Sequence, residues 1–143
     1  MKEEILQLLT EGDVHLKESK SELLTKRDDQ CVGANKCLKA IKKYIVAYQL
    51  FLNPESLSTN NFHLLLHEII GKDPDFNQFS AKIFQVKCFS EESKKYKEEF
   101  FLYDDEVNSI INTALEIRDY ISKKINFDQK FLYEYLGTSF MAI

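Results

Sequence analysis

Apolar residues recur every three or four positions along most of the chain, which is the spacing of one face of an α-helix. Helices are predicted over residues 2–27, 30–52, 61–70, 76–88, from Asp104 or Asp105 to 126, and over 128–136. Gly71 is expected to cap the third helix in a left-handed conformation. The charged run at 90–100 is expected to form a solvated turn of helix or an ordered loop. The fold class predicted is an all-α, up-and-down bundle of four to five helices.

The second predicted helix has an unusually wide apolar arc. The arc exceeds the surface that one neighbouring helix covers, so the C-terminal half of this helix is expected to lie centrally and touch two or more partners. A homodimer contact is also expected there, because a large apolar patch is seldom left exposed on a monomer. The arc consists of Ala34, Leu38, Ile41, Ile45, Tyr48 and Leu52, with Cys37, Tyr44 and Phe51 along one edge.

Lysines occupy the other side of the same helix. Lys36, Lys39 and Lys43 lie opposite the apolar arc, and Lys42 lies at its rim. Such a face is typical of any amphipathic helix with a solvated side, but it could also contact a polyanion. Lys36, Lys39 and Lys43 are therefore the candidate anion contacts.

Arg118 falls within the apolar stripe of the long helix that starts near residue 104. A guanidinium on such a face needs a carboxylate, a phosphate or a route to water, since an unpaired buried charge is costly. One interpretation is a structural salt bridge or a side chain that snorkels to solvent. The other is a further anion contact.

Composition limits the class of protein. At 143 residues the chain fits one domain, and 4 Gly and 2 Pro favour long helices over many turns. A net charge of -4 argues against a protein that coats long nucleic acid, although a local basic patch is compatible with it. Three cysteines without a C-x-x-C pair predict neither a disulfide framework nor a zinc knuckle. With no signal peptide or membrane span in the sequence, a cytoplasmic location is expected.

Two further groups of residues could form a metal site or a site that stacks on bases. His63 and His67 have the i, i+4 spacing that lets two imidazoles reach one metal ion, but no third ligand accompanies them. No metal and no cofactor are predicted, and packing or capping is the alternative role. Tyrosines beside lysines could stack on bases, although most aromatic residues must form the core. His63 and Tyr44 are kept as additional candidates for the site.

Several segments together resemble the HEPN domain family. They are "CVGANKCLKAIKKYIVAYQLF", with Ala34, Leu38, Lys39 and Ala40 in an A-x-x-x-L-K-A pattern, "NNFHLLLHEI", "DPDF" and "DDEVNSIINTALEIRDYISKKI". The likeness covers residues 1–126 and rests on the order and spacing of four helices. It implies a helical bundle, often a homodimer, that binds nucleotide or RNA, frequently beside a nucleotidyltransferase. Other members of the family are ribonucleases in toxin systems.

The sequence departs from the ribonuclease branch of that family. Members of the branch carry an Arg and a His separated by four to six residues, and here Lys123, Lys124 and Ile125 follow Arg118 at that distance. Without an imidazole there, no general acid or base is evident for attack by a ribose hydroxyl. Cleavage of RNA by the family mechanism is not expected.

The sequence therefore predicts a non-catalytic HEPN-like accessory domain over 1–126. It is expected to form a homodimer, to bind nucleotide or RNA, and to act beside a nucleotidyltransferase. The alternatives are a protein-interaction module that uses exposed aromatic residues, and a degenerate ribonuclease that uses Arg118 with a partner other than histidine. The tail, 127–143, carries a short apolar helix that is expected to dock on the bundle, on the dimer mate or on a different partner.

Overall fold

A computed structural model describes residues 3–25, 30–55, 61–96 and 98–126 of the chain. The described residues form helices and no strand, which confirms the all-α prediction. The helix predicted at 128–136, and the docking of 127–143, lie outside the described residues. The elements are α1 (Glu3–Thr25), α2 (Gln30–Leu52), α3 (Phe62–Lys72), a 3-10 helix (Pro74–Phe79), α4 (Ser80–Lys95) and α5 (Asp104–Ile125).

The long helices alternate in direction. Contacts between α1 and α2 run from Ser19 with Gly33 to Asp13 with Tyr44, so these two helices are antiparallel. Helix α4 is antiparallel to α5. At the level of Asn35 and Cys37 of α2, α4 has reached Ser90 and α5 has reached Ile110, whereas Lys82 earlier in α4 pairs with Glu116 later in α5. These four long helices thus run up and down in turn, whereas the short α3 is parallel to α2, because Phe62 lies beside Lys42 and Glu68 beside Gln49.

Helix α2 lies at the centre, and α1, α3, α4 and α5 all pack on it. Its predicted apolar arc is buried except for Leu52, which is half-buried, and Phe51, which is exposed. The prediction that α2 touches several partners is confirmed. The chain itself covers the surface from which a homodimer contact was predicted, apart from these two residues.

Two glycines allow α1 and α2 to approach closely. A Cβ atom on Gly12 would lie 2.6 Å from Cε1 of Tyr44, and one on Gly33 would lie 2.7 Å from Cγ of Leu23. Real Cβ atoms do not tolerate such distances, so a larger residue at either position must displace its neighbour. Helices α1 and α2 therefore approach closely at Gly12 and Gly33.

Helix α3 does not end as predicted. Gly71 lies inside the helix, which continues to Lys72. Asp73 ends it with φ of -135°, and its N–H donates to the carbonyl of Ile69. The physical reason is Pro74, because a residue that precedes proline is driven towards extended conformations. The prediction of a left-handed cap at Gly71 was wrong.

The helix predicted over 76–88 begins later as an α-helix, at Ser80, and ends later, at Lys95. The 3-10 helix precedes it, and α4 includes most of the charged run that was expected to be a turn or loop. Ser90 and Ser93 are buried because they contact Asn35 of α2. Ser90 donates to the amide oxygen of Asn35, whose Nδ2 donates to Oγ of Ser93 over 3.2 Å. Polar residues here join two helices.

The long helix predicted from Asp104 or Asp105 is confirmed as α5, although its N-cap is Tyr103. The Glu106 carboxylate accepts a hydrogen bond from the N–H of Tyr103 over 2.9 Å. At the other end, Asn126 caps the helix in the left-handed region with φ of 66°. Acidic residues in the first turn and lysines in the last complement the helix dipole.

Asp73 also connects α2 with α5. Its carboxylate accepts hydrogen bonds from the hydroxyl of Tyr48 over 2.5 Å and from that of Tyr120 over 2.7 Å. Burial raises the pKa of Asp73, but the hydrogen bonds from Tyr120 and Tyr48 outweigh burial and leave this pKa below its usual value. The rings of Phe76 and Phe79 pack against Tyr120, with centroids 5.7 and 5.3 Å away.

Candidate functional site

Two of the three predicted anion contacts are paired with carboxylates of α1. Nζ of Lys36 lies 2.9 Å from Glu18 and 2.8 Å from Glu22, and Nζ of Lys43 lies 2.8 Å from Glu11. The hydrogen bonds that Lys36 donates to Glu22 and Glu18 raise the pKa of Lys36. These lysines therefore connect α2 to α1, and an external anion would have to compete with the carboxylates.

Arg118 lies in the interior and is 1% exposed. Its Nε and Nη2 atoms each lie 3.1 Å from an oxygen of Asp13, and Nη1 donates to Ser122 over 2.8 Å. Asp13 also accepts a 2.6 Å hydrogen bond from the hydroxyl of Tyr44. Asp13 and Tyr44 are fully buried. The structural salt bridge is the interpretation that this geometry matches, and neither Arg118 nor Tyr44 reaches the surface.

Sequence reasoning missed Asp13, although a signal for it exists. Asp13 lies at helical spacing from Leu9 and Leu16, on the apolar stripe of α1. Arg118 occupies the equivalent place on the stripe of α5. Two opposite charges, each on an otherwise apolar stripe, predict one buried pair, because either charge alone would be costly.

An open groove of about 340 Å³ lies between α3 and α4. Both helices pack on α2, but they make few contacts with one another, so a gap remains above α2. Phe84 is 65% exposed at this gap, whereas Phe62, Leu66 and Ile70 are half-buried. We call this feature the α3–α4 groove; its walls are lined by Phe62, His63, Leu66, His67, Ile70, Asn77, Ser80, Ile83, Phe84 and Lys87.

The predicted site residue His63 belongs to this groove. His63 and His67 are exposed and lie along the α3 side of the groove. Over the parts of the chain that the structure describes, no three His, Cys, Asp or Glu side chains are grouped as metal ligands. The imidazoles can donate or accept hydrogen bonds at the groove edge.

Lys87 lines the groove and Lys42 lies over Phe62 at its edge, and both belong to a group of lysines close enough to repel one another. We call Lys39, Lys42, Lys87 and Lys94 the lysine cluster. Burial lowers the pKa of Lys42, and repulsion from Lys94, Lys87 and Lys39 lowers it further. Among the described residues, no carboxylate forms an ion pair with any member of the cluster. The cluster is thus a local positive patch on a chain whose net charge is -4.

The groove and the lysine cluster share a boundary. Lys87 lines the groove, and Nζ of Lys42 lies 5.6 Å from the centroid of the Phe62 ring. Of the predicted anion contacts, only Lys39 belongs to the cluster. Sequence reasoning placed Lys42 at a rim and did not consider Lys87 or Lys94, because charges on two separate helices reveal no shared patch until the helices pack.

A second cavity of about 380 Å³ lies near the start of α5. Its wall includes Leu24, Phe101 and Tyr103, which are exposed, and the rings of Phe101 and Tyr103 meet edge to face at 5.1 Å. The wall also includes polar groups of Gln30 and Asp104. Unlike the α3–α4 groove, this cavity is not flanked by the lysine cluster.

Comparisons with known proteins add no identification. No family model, no curated protein and no solved structure matches the chain. The resemblance to the HEPN family therefore stays a prediction. In the stretches that the structure covers, no helix is both long and apolar enough to cross a membrane.

Proposed function

We propose that this protein is a non-catalytic protein-interaction module that holds a segment of a partner in the α3–α4 groove. The observation that carries the proposal is Phe84, a large aromatic side chain that is 65% exposed at the mouth of an apolar groove. Pockets of this size that combine apolar side chains with polar groups at defined places are common binding sites. Exposed aromatic residues in such pockets often supply much of the binding energy.

Site-specific photo-cross-linking tests this proposal. A photoreactive phenylalanine analogue replaces Phe84 in the full chain, which is expressed in the cells that naturally contain it. We expect a discrete adduct with a protein. The matched control carries the analogue at Leu64, which is 50% exposed on α3 but does not line the groove. An equal adduct from both positions, or no protein adduct from position 84, would contradict the proposal.

The identity of the adduct also tests the two partners that the sequence predicts. A homodimer gives an adduct of the chain with itself, and a nucleotidyltransferase gives one with a protein of that class. Mass spectrometry of the adduct distinguishes these partners.

Nucleotide or RNA binding, as the HEPN resemblance implies, is the second candidate function. It is favoured by the lysine cluster, whose like charges lie together without a paired carboxylate in the described residues. A bound phosphate would relieve the repulsion among these lysines.

A thermal-shift series tests the second candidate. A ligand that binds only the folded state stabilises it by about 2.7 kcal/mol at a concentration one hundred times its Kd. Nucleotides and short RNA should raise Tm at low salt, and less at high salt. Lys39→Glu and Lys42→Glu should remove the shift, whereas Lys36→Gln should retain most of it. A rise in Tm that does not depend on salt, or no rise at all, would contradict nucleotide or RNA binding.

A further inference from the structure

The two walls of the α3–α4 groove present side chains at helical spacing. Helix α3 contributes Phe62, Leu66 and Ile70, each four residues from the next, and α4 contributes Ser80, Ile83, Phe84 and Lys87. A third helix laid along two such walls can place its own apolar ridge between them. Recognition of an amphipathic helix in a groove between two helices follows this geometry.

The charge around the groove limits what the other faces of such a helix can carry. Lys87 lies in the wall and Lys42 lies over Phe62, so both can reach a ligand that fills the groove. Lys39 and Lys94 add to the positive potential at Lys42. Glu68 of α3 does not line the groove, and one of its carboxylate oxygens accepts a 2.5 Å hydrogen bond from Gln49 of α2.

We infer that the α3–α4 groove binds an amphipathic α-helix of a partner protein, whose apolar face contacts Phe62 and Phe84 and whose flanking glutamates or aspartates contact Lys42 and Lys87. This inference rests on the proposed function, because it names the chemistry of the partner segment. Burial of the apolar face of the partner helix supplies affinity. Its acidic residues, by contacting Lys42 and Lys87, fix the orientation of the helix in the groove.

The volume of the groove agrees with side chains as the buried part of the ligand. A cavity of about 340 Å³ has room for several side chains and not for a whole helix, whose diameter is about 10 Å. The partner helix would therefore lie across the mouth, with its apolar residues inserted. Phe84 is exposed at this mouth and would become buried on binding.

The test uses the full chain and a panel of synthetic peptides, of about 18 residues so that they can populate a helix in water. Each peptide has leucines on one face at three- and four-residue spacing and glutamates on both flanks of that face. Fluorescence anisotropy measures binding at low and high salt. We expect the glutamate peptides to bind, and the affinity to fall but not vanish as salt rises, since only the charge contacts are screened.

Three control peptides separate the parts of the inference. The first has lysines in place of glutamates, the second has serines in place of leucines, and the third has the same composition with a central proline that breaks the helix. All three should bind at least about tenfold more weakly. If the lysine peptide binds as tightly as the glutamate peptide, the partner does not need acidic flanks. If the proline peptide binds as tightly, the partner does not need to be helical.

Variants of the protein locate the binding site. Phe84→Ser should weaken binding about tenfold or more, and so should the double variant Lys42→Glu with Lys87→Glu. Phe101→Ser and Lys123→Glu are the matched controls, because both residues are exposed and lie away from the groove. Unchanged binding in the groove variants would overturn the inference.

The results also separate this inference from the proposed function. Suppose that position 84 gives a protein adduct but no glutamate peptide binds. The proposed interaction module would then stand, and the inference that its partner is an acidic helix would be wrong. If the serine peptide binds as well as the leucine peptide and Phe84→Ser has no effect, the site is a polyanion site. That result would overturn the inference and favour the second candidate function.

Discussion

Two regions of this molecule differ in whether their positive charges are paired with carboxylates. In the interior, Arg118 meets two oxygens of Asp13, and both side chains are almost completely buried. At the surface, the lysine cluster brings together four cations that no described carboxylate pairs. Removing one partner of the buried pair leaves the other charge unpaired in the interior, whereas the cations at the surface are open to a ligand.

The largest expected effect comes from breaking the buried pair. Arg118→Met leaves the carboxylate of Asp13 buried without its cation and should lower the free energy of unfolding by about 3–5 kcal/mol. Urea denaturation followed by circular dichroism measures the change.

The control for this prediction removes both charges. The double variant Asp13→Leu with Arg118→Met should recover much of the lost stability, since neither charge then remains buried alone. Because Asp13→Leu also removes the acceptor of the buried Tyr44 hydroxyl, the recovery should be incomplete. A double variant less stable than Arg118→Met by more than that lost hydrogen bond, about 1–3 kcal/mol, would contradict the electrostatic explanation.

Gly12→Ala should be the next largest change. The added Cβ would lie 2.6 Å from the ring of Tyr44, whose hydroxyl donates to Asp13. Displacing that ring should cost about 1–3 kcal/mol of unfolding free energy. Gly71→Ala is the matched control, because nothing lies within 4 Å of a Cβ there and the residue is helical. It should be neutral or stabilising.

Replacing Asp73 should have a smaller effect on the free energy of unfolding, and this effect should depend on pH. Because its folded pKa is lowered, its contribution to stability is present above its unfolded pKa of about 4 and is lost as pH falls through the folded value. Asp73→Asn should cost about 1 kcal/mol near neutral pH. The difference from the parent should shrink below about pH 4; a difference that stayed constant from pH 7 to pH 3 would contradict this assignment.

The smallest effect on stability is expected in the lysine cluster. Lys42→Gln removes a cation that repels three others, so the free energy of unfolding should change by less than about 0.5 kcal/mol or rise slightly. The same variant should weaken binding of the acidic probe peptides. A loss of stability as large as that of Arg118→Met would remove the distinction between the two regions.

Much of the fold could be predicted from the sequence because helix formation is local. The bounds of α2 and the long helix α5 follow from the periodicity of their apolar residues. The end of α3 differs from the prediction because Pro74 ends the helix and Gly71 lies inside it. The charged run at 90–100 was misjudged because Ser90 and Ser93 find their partner, Asn35, on another helix.

The candidate site was less predictable, since it depends on residues that only packing brings together. Of the residues singled out in advance, His63 lies in the α3–α4 groove and Lys39 in the lysine cluster. Arg118 and Tyr44 lie in the interior, and Lys36 and Lys43 pair with α1. A helical wheel shows which face carries lysines, but it contains no information about carboxylates on a neighbouring helix.

The sequence by itself determined that this chain is helical, where its long helices lie and that α2 is central, because these properties depend on periodicity and on the width of an apolar arc. Only the tertiary structure decided which charges are satisfied. It paired Arg118 with Asp13 across 105 positions and left Lys42 among other cations. The physical reason is that the energy of a charge depends on its burial and on the charges near it, and both are set by the packing of helices distant in sequence.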